Sequence, residues 1–123
     1  MSIVKKQQQA IFNKVFKHLF KQGKRAASLG NTCFYRYNGL KCAIGCLIPD
    51  RLYTKTIEGR SIFNLDINNL GIKYTGDISF LHDLQREHDI WFDETDKTLI
   101  ESMFRIAENY ELDPYPVLVA VTK

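Results

Sequence analysis

The dipeptide Asn38-Gly39 lies between two runs with strand character, CFYRY (Cys33–Tyr37) and LKCAIGCLI (Leu40–Ile48). Asn-Gly is the pair preferred in two-residue hairpin turns, where both central residues need φ > 0. Closing the hairpin on it pairs Tyr37 with Leu40, Arg36 with Lys41, Tyr35 with Cys42, and Cys33 with Ile44. Period-2 alternation then places Cys33, Tyr35, Tyr37, Leu40, Cys42, Ile44 and Cys46 on one face, with Arg36 and Lys41 on the other. This holds if the second strand stays extended through Gly45; Pro49 ends it. All the cysteines of the chain are thus expected together on the buried face, as packing residues.

The flanking segments read as helix. Ile11, Phe12, Val15, Phe16, Leu19 and Phe20 share one half of a helical wheel, and Lys14, Lys17, Lys21, Lys24 and Arg25 share the other, which predicts a helix from about Ile3 to Lys24. Residues 50–76 read as short, irregular helical pieces. A second helix begins near Asp77–Ser79 and carries Phe80, Leu81, Leu84, His88 and Trp91 on one face. A third opens at Asp93–Asp96 and carries Leu99, Ile100, Met103, Ile106, Ala107 and Tyr110. Pro114 and Pro116 break it, and VLVAV (Val117–Val121) is a candidate third strand.

Charge is divided unevenly. Residues 1–49 hold nine basic side chains and no Asp or Glu, whereas residues 50–123 hold eight basic and fourteen acidic ones. A basic half of this kind suits an anionic partner, pairing with the acidic half, or self-association. The chain has 123 residues, the size of one domain, and its 45% apolar content suits a packed core. No apolar run approaches the length of a membrane span and no secretory signal is visible at the N-terminus, so a cytoplasmic setting with reduced thiols is expected.

Three constellations bear on chemistry. Cys33, Cys42, Cys46 and His88 are of the right types for tetrahedral zinc, although C-x8-C-x3-C lacks the tight knuckle of common zinc modules. His88 beside one of these thiols would make a nucleophilic pair, but no local signature accompanies it and a histidine on an apolar helix face is more often a hydrogen-bonded core residue. Lys14, Lys17 and Lys21, joined by Arg36 and Lys41 from the hairpin, form a candidate binding surface for an anionic partner, and Tyr35 or Tyr37 could stack a base if that partner were a nucleic acid. Phosphate-loop, dinucleotide-binding, serine-hydrolase and zincin motifs do not occur.

The block Cys42–Asp50 (CAIGCLIPD), followed by Glu58-Gly59-Arg60-Ser61 and by Phe80–Asp89 (FLHDLQREHD), resembles a group of short proteins encoded by tailed phages and prophages. That resemblance spans roughly residues 10 to 112. It implies a phage setting and brings no established activity with it.

Together these readings predict one α+β domain over residues 1–123, mostly helical, with a small antiparallel hairpin packed on helices. The expected role is a phage-type accessory protein that binds a host factor stoichiometrically, without catalysis or cofactor, through Lys14, Lys17, Lys21, Arg36 and Lys41. Such opposed charges suit rapid, selective protein association. Binding of a nucleic acid or nucleotide by the basic half, or a Cys/His-dependent enzyme or zinc site, are the alternatives.

Overall fold

The computed structural model describes residues 2–122, so Met1 and Lys123 of the expected domain lie outside it. Helix α1 runs Ile3–Gln22. The Ser2 hydroxyl accepts from the Lys5 amide at its start, and Gly23 ends it in the left-handed region at φ 75°, its N–H on the Leu19 carbonyl at 2.8 Å. The expected apolar stripe is buried: Phe12 and Val15 are fully inaccessible and Phe16 and Leu19 nearly so.

The hairpin forms at the expected turn. Strands β1 (Arg36–Tyr37) and β2 (Leu40–Lys41) pair in the predicted register, with Asn38 and Gly39 both at positive φ. The Cys42 amide still reaches the Tyr35 carbonyl at 3.0 Å, but the ladder stops there. Instead of extending through Gly45, the chain tightens into a 3-10 turn at Gly45–Leu47, and Cys33 bridges to Ala27 rather than to Ile44. The cause is steric. A Cβ on Gly45 would lie 2.0 Å from the Tyr35 carbonyl oxygen, so the turn folds back onto the hairpin at a distance open only to glycine. The shared thiol face is therefore corrected: Cys42 is buried in the core, whereas Cys33 and Cys46 are half-buried elsewhere.

The hairpin's open edge is closed by α1. The Gln22 side chain accepts from the Lys41 amide at 3.0 Å and donates to the Lys41 carbonyl at 2.9 Å, while His18 Nε2 donates to the same carbonyl. A side chain thus stands where a third strand would otherwise pair. Burial holds the His18 imidazole below its ordinary pKa, which suits a neutral ring donating from Nε2.

Residues 50–76 are irregular as expected, with further 3-10 turns at Asp50–Leu52, Lys55–Ile57 and Ile62–Asn64. Helix α2 spans Ser79–Asp89 and α3 spans Asp96–Asn109, the latter capped by the Thr95 hydroxyl. Trp91 falls just beyond α2, yet it is almost fully buried and its indole N–H donates to the Thr95 carbonyl at 2.9 Å. The candidate third strand is corrected to a helix, α4, at Tyr115–Val121. Proline within the first turn presets its φ, and the Asp113 carboxylate accepts from the Tyr115 amide, so the capping overrides the β-preference of the valines.

One apolar cluster joins α1, α2, α3, α4 and the post-hairpin segment Cys42–Ile48. The described residues are mostly helical with one two-stranded antiparallel sheet, an α+β arrangement. Among the described residues, no helix is long and apolar enough to cross a membrane.

Candidate functional site

Two of the blocks singled out above, Glu58–Ser61 and Phe80–Asp89, converge with the segment that leads into the hairpin. Cys33 and Tyr35, then Glu58, Arg60 and Ser61, then His82, Gln85 and Asp89 line one polar cleft of about 330 Å³ between the irregular chain and α2. Its walls are held by side chains that replace missing backbone partners. Glu58 accepts from the Tyr35 amide at 2.8 Å, the Arg36 amide at 3.1 Å and the Tyr53 hydroxyl at 2.6 Å. Gln85 accepts from the Ile44 amide at 3.1 Å and donates to Asp89 at 2.9 Å.

At one end of the cleft, Cys33 Sγ, a His88 ring nitrogen and an Asp89 carboxylate oxygen lie within 4.8 Å of one another. On a helical wheel His88 and Asp89 point about 100° apart. At the last turn of α2 the Asp89 carboxylate nonetheless folds back to His88 Nδ1 at 2.7 Å. The other ring nitrogen, Nε2, lies 3.0 Å from the Ala26 backbone nitrogen. An amide N–H can only donate, so Nε2 carries the lone pair and Nδ1 carries the proton given to Asp89. His88 is fully buried.

This polarity decides what the group can do. A general base for the Cys33 thiol needs a free imidazole lone pair, and the Ala26 amide occupies it. A metal-ligating histidine donates from its second nitrogen to an acceptor, whereas here the second nitrogen would have to accept from an N–H. His88 in this arrangement therefore does not fit a metal, and the group works as a hydrogen-bonded strut. Cys42 and Cys46 are not part of this group: among the described residues, Cys33 is the thiol that joins His88 and Asp89 in it. Cys42 Sγ accepts from the Gly45 amide, and Cys46 donates to the Ala43 carbonyl.

All the thiols are held protonated. Burial raises the Cys33 thiol above its ordinary range, pushes Cys46 up to about 12 and lifts the fully enclosed Cys42 still further. Since the thiolate is the nucleophile, iodoacetamide at neutral pH is expected to modify the native protein far more slowly than the same protein in denaturant, with Cys42 spared until unfolding. Rapid alkylation of one native thiol, read by mass spectrometry, would contradict this.

Beside the strut lies a buried arginine, Arg25, although helical periodicity assigns it to the exposed side of the first helix. Arg25 is 6% exposed; its guanidinium donates to Asn31 and to the Asp89 carbonyl, approaches Cys33 Sγ at 3.8 Å and lies over the Phe92 ring at 5.2 Å. Its amide donates to Glu94 at 2.7 Å, with the Nε of the same residue 3.6 Å from that carboxylate.

The five basic candidates separate into two groups. Arg36 bridges to Asp50 at 2.8 Å, donates to the Ile48 carbonyl and lies over the Tyr53 ring at 4.7 Å, and Lys41 reaches the same carboxylate at 3.4 Å. Hydrogen bonds from Arg36 and then Lys41 hold the Asp50 carboxyl below the usual carboxylate range. The first acidic residue in the chain is thus the one that occupies both hairpin cations. Lys14, Lys17 and Lys21 are exposed on α1. With Lys6, which lies outside the five candidates, they fall within about a quarter of the helix circumference. Among the described residues none of the four has a salt bridge or side-chain hydrogen bond. The aromatic candidates are engaged: Tyr35 is buried with its hydroxyl on the Arg60 carbonyl, and Tyr37 stacks on Phe34 at 4.9 Å. Comparison with protein-family models, with curated proteins and with solved structures gives no match to this chain.

Proposed function

We propose that this protein acts without catalysis, by stoichiometric binding of a protein partner whose surface is acidic, and that α1 supplies the contact. The observation that carries the reading is the row Lys6, Lys14, Lys17 and Lys21: exposed cations on one rigid helix, without internal counter-charges among the described residues. Cations arranged this way raise association rates and select among partners through complementary potential. A groove of about 400 Å³ beside the row, lined by Ile3, Ala10, Ile11, Leu47 and Ile72 with Lys73 on its far rim, adds apolar area to the same surface. The resemblance to phage-encoded proteins directs the search to bacterial host factors. A nucleic acid is the less favoured anion, because the tyrosines that would stack bases are occupied within the fold.

The test is capture from bacterial lysate followed by titration of the identified protein against purified wild type and the Lys14→Glu/Lys17→Glu/Lys21→Glu variant. One-to-one binding by wild type, weakened at least about tenfold in the variant and chiefly through slower association, is the expected result. Equal affinity of the two proteins would remove α1 from the contact. Tight binding to DNA or RNA with a steep salt dependence would replace the protein partner by a polyanion.

A further inference from the structure

We propose that the outward face of α4 and its two flanking grooves form an interface with a second copy of this chain. Helix α4 spans seven residues, and Tyr115, Leu118 and Val121 recur on one side of it at 65%, 47% and 56% exposure. A helix this short is not stable on its own propensity and depends on what it packs against; on its inner side only Val117 is fully buried. The exposed stripe opens into two grooves that share Phe20 and Ala120. The first, about 560 Å³, lies between α1 and α4, with Lys17 and Lys21 in its lining. The second, about 370 Å³, is bounded by α3 and carries exposed Asp96 and Glu101, with Lys97 between them.

An apolar strip with a basic rim at one groove and a net acidic rim at the other is complementary to itself. In a two-fold pair whose axis runs along α4 every contact occurs twice: the Lys17/Lys21 rim of each copy meets the Asp96/Glu101 rim of the other while the α4 stripes and Phe20 lose their water, and self-association then competes with an acidic partner for these two lysines. A polyanion would be repelled by the acidic rim, and an anionic lipid surface would meet the same obstacle.

Sedimentation over a concentration series from micromolar upward, with circular dichroism as the check on folding, tests this. Wild type is expected to pass from monomer to dimer, and Leu118→Asp to remain monomeric. Two charge-reversed proteins, Lys17→Glu/Lys21→Glu and Asp96→Lys/Glu101→Lys, are each expected to lose self-association, because each then sets like charges together. Mixed in equal amounts they regain a full set of opposite pairs and are expected to form a heterodimer. A wild type that stays monomeric throughout, a dimer indifferent to these substitutions, or a monomer that instead binds anionic vesicles would each overturn the proposal.

Discussion

Gly45→Ala is expected to be the most damaging single-methyl substitution in the molecule. The added Cβ would sit 2.0 Å from the Tyr35 carbonyl oxygen and 2.9 Å from its carbon. Both obstacles are backbone, so no side-chain rotation relieves the overlap, and the Cys42–Tyr35 hydrogen bond lies directly beside it. Moving either strand end drags Cys42, Ala43 and Ile44 out of a core where each is fully buried. We expect a loss of at least about 3 kcal/mol, the upper range for overpacking, and hence a Tm lower by roughly 10 °C or more. Gly39→Ala separates space from backbone freedom. Gly39 has φ 80° but nothing within 4 Å of its virtual Cβ, so the cost there is the left-handed strain alone, about 1–2 kcal/mol. Thermal unfolding of both variants decides the matter; a Gly45→Ala protein as stable as Gly39→Ala would mean that the turn does not press on the hairpin.

His88→Phe is expected to cost nearly as much for a different reason. Phenylalanine keeps the ring and its packing but offers no acceptor, leaving the Ala26 N–H inside a fully buried site and Asp89 without its Nδ1 proton donor. An unsatisfied buried amide costs about 1–3 kcal/mol, and loss of the bond to a charged group adds to it. A destabilisation of about 3 kcal/mol by denaturant titration is expected, together with faster hydrogen exchange at Ala26. His88→Gln retains an acceptor on a flexible stem and should recover part of both. Wild-type stability in His88→Phe would show that the amide finds another partner and that the strut is dispensable.

Much of the fold was legible where local signals and tertiary needs agree. The period of apolar residues located α1, α2 and α3, and Asn38-Gly39 located the hairpin and its register, because both rest on geometry within a few residues. VLVAV misleads because a five-residue valine-rich run carries no length to arbitrate between strand and helix, while Pro116 and the Asp113 cap do favour the helix. The early end of the β2 ladder was not readable, since the crowding of Gly45 against Tyr35 exists only after the chain folds back. The fate of the cations was partly visible. Asp50 is the first carboxylate after forty-nine residues without one, and it stands close in sequence to the hairpin that carries Arg36 and Lys41. His88 was placed correctly on a buried face, but its partner is the backbone of Ala26, sixty-two residues away. No spacing rule reaches that far.

The struts at Glu58, Gln85 and His88 also bear on how this protein can change over time. In a helix or ladder, any residue but proline can replace another and the amide pairing survives. Here the amides of Ala26, Tyr35, Arg36 and Ile44 are satisfied by three particular side chains, so the identity of those residues is itself structural. Tolerance of the fold to substitution should accordingly be uneven: changes on the outward faces of α1 and α4 alter contacts yet leave the frame intact, while the amide-holding side chains stay tied to a few letters. Such a division lets a small chain acquire new partners on one side without risking the frame that holds the other.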